Sequence, residues 1–381
     1  YGSKAANGVI VITRKPIHEG TVRVQYNFTG NLQFPVLSDY NVLNASEKLE
    51  YERLAGLYNA YGQISSETGL PLQYEYDEIY NQRYKLIKAG LNSDWLSQPA
   101  RTAFSNEHSL RVYGGASNLR YELTGRFGDT RGVMKDDYRK RYNLGFKLDY
   151  HVGTFVLSNR TTYQEVNTKD TPYGSFSEYV RMNPYDRIYN EDGTLSFYGA
   201  AVMYGAFSGD QSYQENVNMY ASTTTTLTVE PIKDVLKVVG DFTYKADRNT
   251  QLRVSPIQTG YSGPGGAENY NNSSYKSDWR YNTDYITANA VLTWTPKLGD
   301  KHDLNVMAGW NLESKKYRRL YLQRLGLMDP TRPSFELMDS QEYSVDDDGY
   351  DHNSVGVFAR VNYSLLGRYI FEFAGRYDGE S

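Results

Sequence analysis

No cysteine occurs in the 381 residues. That excludes a disulfide framework, thiolate metal sites and a cysteine nucleophile. Net charge is small: 41 Lys and Arg against 45 Asp and Glu leave −4. This balance argues against nonspecific binding to a phosphate backbone. Proline is scarce, at 12 residues. No window approaches 18 consecutive apolar residues, so no transmembrane helix is written here. The mean hydropathy of −0.65 reads as soluble at face value. It leaves a membrane β-barrel open, because only alternate residues of a barrel strand must be apolar. Length alone allows one to three domains. The chain opens on Tyr1 without an initiator Met or signal peptide. A segment of something larger is therefore expected.

Catalytic constellations are missing too. The five His are His18, His108, His151, His302 and His352, and none pairs at i, i+4. Neither H-E-x-x-H nor G-x-S-x-G occurs. Gly263-Pro264-Gly265-Gly266 has no helix start after it, so it is no phosphate cradle. Basic residues do not cluster with stacking aromatics as an RNA-binding sheet requires. The expectation is a non-enzyme with no cofactor and no nucleic-acid partner.

What is present is strict alternation. Leu119, Tyr121, Leu123 and Phe127 share one parity; Arg120, Glu122, Thr124 and Arg126 share the other. Tyr142, Leu144, Phe146, Leu148 and Tyr150 then alternate with Arg141, Asn143, Gly145, Lys147 and Asp149. A period of two is a strand with one apolar and one polar face. Eleven such runs follow one another, at about 21–30, 105–114, 119–128, 139–151, 154–166, 214–230, 235–248, 282–296, 302–316, 350–364 and 368–378. Most reach about ten residues, the length of a tilted membrane-spanning strand and longer than the usual globular strand of about 5–6. Short connections (115–118, 152–153, 231–234, 297–301, 365–367) alternate with longer ones (31–104, 129–138, 167–213, 249–281, 317–349). Short turns at one end and long loops at the other are the outer-membrane barrel arrangement. A soluble propeller would show similar repeats of about 40–50 residues, and none is visible.

The 37 Tyr outnumber Phe and Trp together. Tyr suits the membrane–water interface, where the ring sits among headgroups and the hydroxyl stays wet. Tyr26, Tyr150, Tyr163, Tyr244, Tyr363 and Tyr369 fall within or near strand ends, as a girdle facing outer-membrane lipid requires. In phase with the polar face are Arg111, Arg126, Lys147, Arg160, Lys245, Arg360, Glu372 and Arg376. They are expected to face a wet or plugged lumen. Eleven strands cannot close a single-chain bacterial barrel, which has an even count. The expected fold is all-β, about half of a 22-stranded transmembrane antiparallel barrel.

The first residues differ. Val9-Ile10-Val11-Ile12 is a continuous apolar run, which means burial on both faces. Gly2 and Gly8 permit a tight turn and close backbone approach. Residues 1–16 therefore read as the last piece of a domain held inside the barrel, and 17–381 as the barrel's first half.

These features resemble a known family. Tyr1-Gly2-Ser3-Lys4-Ala5-Ala6-Asn7-Gly8-Val9-Ile10 is similar to the end of the plug domain in TonB-dependent outer-membrane transporters of the SusC/RagA type, with Lys4 for the usual Arg. Tyr1, Gly2, Ser3, Asn7 and Gly8 carry that motif. Leu43-Asn44-Ala45-Ser46-Glu47, Asp94-Trp95, Asn183-Pro184 and Arg376-Tyr377-Asp378-Gly379-Glu380-Ser381 resemble later family segments, the last with Glu380 inserted. The resemblance is loosest over 195–350. It implies energised import of a glycan or peptide through the outer membrane of a Gram-negative bacterium, Bacteroidota-type. It also implies a SusD-like surface lipoprotein as partner, and TonB acting through a segment this chain does not contain. A scaffold that transports nothing, and a passive porin or adhesin, are the alternatives.

Three loop features carry site expectations. In the first loop, Asn44 and Glu47 make a capping-box pattern, followed by helical spacing at Leu54, Leu57, Tyr58 and Tyr61. A second helix is read over 75–89. The pair forms either a packed flap or a docking surface for the lid lipoprotein. The 167–213 loop is rich in aromatics, with Tyr173, Phe176, Tyr198 and Tyr204 the candidates for stacking on a substrate. They serve equally as the loop's own small core. Asp346, Asp348 and Asp351 offer oxygen ligands for Ca²⁺ but lack the EF-hand spacing, so a solvated acidic loop is the plainer reading.

Overall fold

The computed structural model describes residues 19–196, 213–255, 259–260, 269–270, 274–328, 332–339 and 343–381. The plug-motif residues Tyr1, Gly2, Ser3, Asn7 and Gly8 lie outside them, as do Tyr198 and Tyr204.

One antiparallel sheet dominates. Its strands are β1 (Gly20–Gln33), β2 (Ala103–Gly115), β3 (Leu119–Arg131), β4 (Tyr138–Val152), β5 (Phe155–Lys169), β6 (Tyr213–Ile232), β7 (Leu236–Ser255), β10 (Tyr275–Trp294), β11 (His302–Leu325), β12 (Tyr343–Leu365) and β13 (Tyr369–Glu380). The eleven follow chain order across the sheet. A separate two-residue ladder joins β8 (Thr259–Gly260) to β9 (Asn269–Tyr270). All eleven alternating runs are strands of the one sheet.

Register fixes the faces, because directly opposed residues share one. Arg111 opposes Thr124, which opposes Gly145, which opposes Thr162. Thr162 continues to Ser222 and Lys245. The row runs on through Tyr285 and Lys315 to His352. Every predicted lumen residue (Arg111, Arg126, Lys147, Arg160, Lys245, Arg360, Glu372 and Arg376) has the parity of this face. The opposite face carries Val112, Leu123, Phe146, Phe242, Ile286, Val357 and Phe373, and the six girdle tyrosines. Polar residues interrupt it: His108 and Glu165 lie near its girdle, and a cluster sits deeper. Asn159, Thr161, Thr223 and Thr225 sit there on β5 and β6. They satisfy one another: Asn159 Nδ2 donates to Thr225 Oγ1 at 2.9 Å, and the Thr161 and Thr223 hydroxyls meet at 2.9 Å. Closing these bonds within the cluster removes most of the cost of holding polar groups against lipid.

The strands run further than the alternation predicts. Strand β11 has 24 residues and β12 has 23. The expected loops over 249–281 and 317–349 therefore shrink to what lies between Ser255 and Tyr275, and between Leu325 and Tyr343. The 129–138 connection shrinks to 132–137. The reason is visible on the outer face of β10. Trp294, Leu292, Ala290, Ala288 and Ile286 are followed by Asp284, Asn282, Arg280, Asp278 and Lys276. Past Asp284 the outer face is polar, and the aromatics Tyr281, Trp279 and Tyr275 fall on the inner face. The backbone ladder continues after the apolar outer stripe ends.

Short turns close the other end. Val152 pairs Phe155 across Gly153, whose φ of 55° is the left-handed conformation glycine adopts freely.

Candidate functional site

Two places gather chemistry: the inner wall of β2–β5 and a cap over the long-loop end. On the wall, Glu122 is 4% exposed and held between two cations. Arg111 Nε donates to its carboxylate at 3.0 Å, and Lys147 Nζ approaches the other oxygen at 2.5 Å. Arg126 pairs Glu107 at 3.1 Å, with Arg141 at 3.6 Å. Arg160 lies beside this network, lining the same polar cleft of about 550 Å³ as Arg111, Glu122, Arg126 and Lys147. Arg360 pairs Glu372, and Arg376 pairs Asp378, on the far strands. The structure thus brings Arg111, Lys147 and Arg160 together and leaves Arg360 and Arg376 apart from them. Such a wall suits a plug or solute presenting polar and acidic groups, and it does not suit lipid.

The cap is built from the first loop, the 132–137 turn and residues 170–196. Helix α1 (Ala45–Leu54) begins at the expected capping box: Glu47 N–H donates to Asn44 Oδ1 at 2.9 Å, and Asn44 N–H donates to Glu47 Oε2 at 3.0 Å. It ends earlier than the spacing of Leu57 and Tyr61 predicts, because Gly56 turns the chain at φ 78°. Leu54, Leu57 and Tyr61 are left exposed. Helix α2 (Leu72–Lys88) matches the second reading. Its inward stripe is Tyr76, Tyr80, Arg83 and Ile87; that of α1 is Ala45, Leu49 and Glu52. Each stripe therefore carries one charge into the core.

These charges meet. Glu52 is 7% exposed and accepts from Tyr58 Oη at 2.7 Å and Tyr185 Oη at 2.8 Å. Arg83 donates to Tyr58 Oη at 2.6 Å and lies 4.6 Å over the Tyr185 ring. Burial pushes the Tyr185 phenol well above its ordinary range, so it stays a donor. Trp95 Nε1–H donates to Asn183 C=O at 2.9 Å, and Ser93 N–H to Pro184 C=O at 2.7 Å. The first loop and residues 183–186 are thereby one unit. Sequence reasoning missed this cluster. The available signal was a charged residue at the i+7 position of each apolar stripe.

A second core sets Trp95 and Leu96 against Tyr179 and Ile188. Tyr173 and Phe176 pack on it, Phe176 leading the short helix α3 (Phe176–Arg181). Both side chains are used in packing here and remain partly exposed.

The acidic stretch is corrected. Asp346, Asp348 and Asp351 lie in β12, not in a loop. In a strand, 346 and 348 share a face and 351 takes the other. Arg319 pairs Asp346 and Asp348, at 2.5 and 3.8 Å, and Arg318 pairs Asp351 at 2.7 Å. The three carboxylates do not converge. Among the described residues no group of three His, Cys, Asp or Glu forms a metal site.

One titration follows from the cap. Burial holds the Asp186 carboxyl above its ordinary value of 3.8, against the pull of the Asn183 amide. Glu52 raises it further and Arg83 lowers it. A folded value above the unfolded one gives stability that is present in acid and lost as pH rises through the folded value. Asp186→Asn should therefore gain stability relative to wild type as pH rises from 3.8. Limited proteolysis between 183 and 196 across that range measures the gap; a gap that narrows with pH overturns the assignment.

Comparison with known proteins agrees with this architecture. No family model matches the chain. The TonB-dependent receptor SusC of Bacteroides thetaiotaomicron is 23% identical over 416 residues, covering 100% of this chain and 37% of that receptor. The TonB-dependent receptor P3 of Formosa agariphila is 23% identical, covering 100% of this chain and 36% of that protein. The chain thus spans little more than a third of the length of these relatives. Among solved structures, the RagAB peptide transporter superposes with a TM-score of 0.70 at 16% identity, over 100% of this chain and 45% of that chain. The RagAB peptide importer in its 'open-open' state gives 0.68 at 17% identity, over 100% and 44%. The chain has TonB-dependent receptor homologues of the SusC type along its whole length, and its fold is that of half such a barrel. Both of these relatives are TonB-dependent receptors.

Proposed function

We propose that this chain, a homologue of SusC/RagA-type TonB-dependent receptors, is the first barrel half of an energised outer-membrane importer for a glycan or peptide nutrient. The observation that carries the reading is the sheet itself: an apolar outer face, a charged inner face, and homology to these receptors along the whole chain. On this reading residues 1–16 belong to the end of a plug domain, with Tyr1, Gly2, Ser3, Asn7 and Gly8 as its motif. Arg111, Lys147 and Arg160 face that plug and the solute passing it. Lipid of a Gram-negative outer membrane, Bacteroidota-type, covers the other face.

The cap gives the reading a partner. Tyr51, Leu54, Leu57, Tyr61, Ile64 and Tyr74 are all more than half exposed around α1 and α2. Monomeric surfaces rarely leave such a patch open. A SusD-like lipoprotein closing over the barrel would cover it. TonB would act through a segment outside this chain. Deleting that segment from the full-length gene should abolish nutrient uptake while the protein still reaches the outer membrane. Undiminished uptake would favour a scaffold or a passive porin instead.

A further inference from the structure

Beyond Asp284, where the outer face of β10 turns polar, the inner wall of β6, β7, β10 and β11 carries a cleft of about 270 Å³. Register assembles it in two rows. Gln251 opposes Trp279, which opposes Tyr321. Gln214 opposes Arg253, which opposes Ser277. Tyr275 closes the open side. All face the lumen, and all but Gln214 sit on strand extensions that the alternation did not reveal.

Its chemistry is distinctive. The Trp279 and Tyr321 rings stack with centroids 3.8 Å apart, and Tyr281 extends the aromatic surface at 6.0 Å. The Tyr321 hydroxyl donates to Gln323, which fixes that edge. The Gln214 and Gln251 amides supply donors and acceptors together. Arg253 is exposed, lies 5.5 Å over the Tyr275 ring, and pairs with no carboxylate among the described residues. Among the described residues, no Asp or Glu lines the cleft. The neighbouring Arg319 differs, since Asp346 and Asp348 neutralise it.

We infer that this cleft is a binding subsite for an acidic saccharide, one that carries a carboxylate or sulfate. The apolar face of a sugar ring lies on the Trp279–Tyr321 surface. Its hydroxyls exchange hydrogen bonds with Gln214 and Gln251. Its anionic group meets Arg253, whose planar fork matches two oxygens at once. A peptide fits less well. Extended peptides bind through a free sheet edge and pockets for alternate side chains. Here each of the four strands is paired on both sides, so no edge is free. The volume falls below the roughly 300–1,000 Å³ of sites that enclose a drug-sized ligand. It therefore takes one unit of a polymer on its way to the lumen.

This inference rests on the importer reading, and its test is separable from it. Calorimetry on the purified full-length receptor needs no energised membrane. Four probes are compared: oligogalacturonate, a sulfated galactan oligosaccharide, a neutral malto-oligosaccharide and an Asp-rich peptide. One or both acidic sugars should bind. Arg253→Gln should weaken them about tenfold or more and leave the far weaker neutral probe unchanged. Which acidic sugar binds separates carboxylate from sulfate. Trp279→Phe should weaken the acidic sugars while the barrel stays folded by heat-shift electrophoresis. Binding of the peptide alone, or acidic-sugar binding indifferent to Arg253→Gln, overturns the assignment. Loss of TonB-dependent uptake as a property would sink the importer reading and leave this binding result standing.

Discussion

Leu123→Arg should block insertion of the barrel, while Arg126→Leu, three residues away, should not. Leu123 opposes Val112 and Phe146 on the outer face. It lies midway along the apolar run Leu119–Phe127 of β3. A guanidinium there costs about 2–4 kcal/mol near the bilayer midplane, a shift of roughly 30- to 1,000-fold in the folding equilibrium. Arg126 belongs to the other face. Its loss breaks a partly exposed pair with Glu107, worth about 1 kcal/mol or less, and Arg141 stays within 3.6 Å of Glu107. Refolding of the full-length protein into lipid vesicles, read by heat-shift electrophoresis, measures both. Equal tolerance of the two variants would show that this sheet does not present Leu123 to lipid.

The paired substitutions test the part of the fold that was most legible. Strand existence, order and facing all follow from a period of two, because lipid on one side and water on the other force each residue to declare its face. That is why Arg111, Lys147, Arg360 and Arg376 could be placed on one wall from parity alone. The same physics explains where legibility ends. Above Asp284 the phase reverses, with Tyr281, Trp279 and Tyr275 inward and charges outward, so a reading keyed to an apolar outer face stops short of Tyr275, and the acidic run of β12 reads as a loop. Composition cannot separate a solvated loop from a solvated strand. The cleft around Arg253 was hidden for this reason: all of its residues but Gln214 sit on strand that looked like connection.

Helical positions in the cap were legible for a different reason. Asn44 and Glu47 cap reciprocally, and the Tyr76, Tyr80 and Ile87 stripe has to be buried. What the stripes concealed was their charges. Glu52 and Arg83 hold apolar-stripe positions, and a sequence reader assigns such residues to the surface unless a partner is visible. The partner Tyr185 is 133 residues from Glu52, so no local pattern announces it.

That cluster makes the second large prediction. Glu52→Ala should release the first loop from residues 183–186. The carboxylate is the single acceptor for two buried phenols and lies 3.6 Å from Arg83. Removing it strands both hydroxyls and a half-buried guanidinium. Breaking one side of a buried pair costs about 3–5 kcal/mol. Glu50→Ala is the control two residues away. Its pair with Arg53 is half exposed on both sides, so its loss should cost about 0.5 kcal/mol or less. Hydrogen exchange across α1 and α2 in the full-length protein separates the cases. Glu52→Ala should lose protection in both helices and Glu50→Ala in neither. Glu52→Leu with Arg83→Met, combined with Tyr58→Phe and Tyr185→Phe, should recover most of the loss, because no buried ion or hydroxyl is then left without a partner. Recovery would show that the pair fixes the geometry of the cap rather than supplying its stability. Equal exchange in the Glu50 and Glu52 variants would mean that the two loops are held together by the Trp95–Tyr179 core alone.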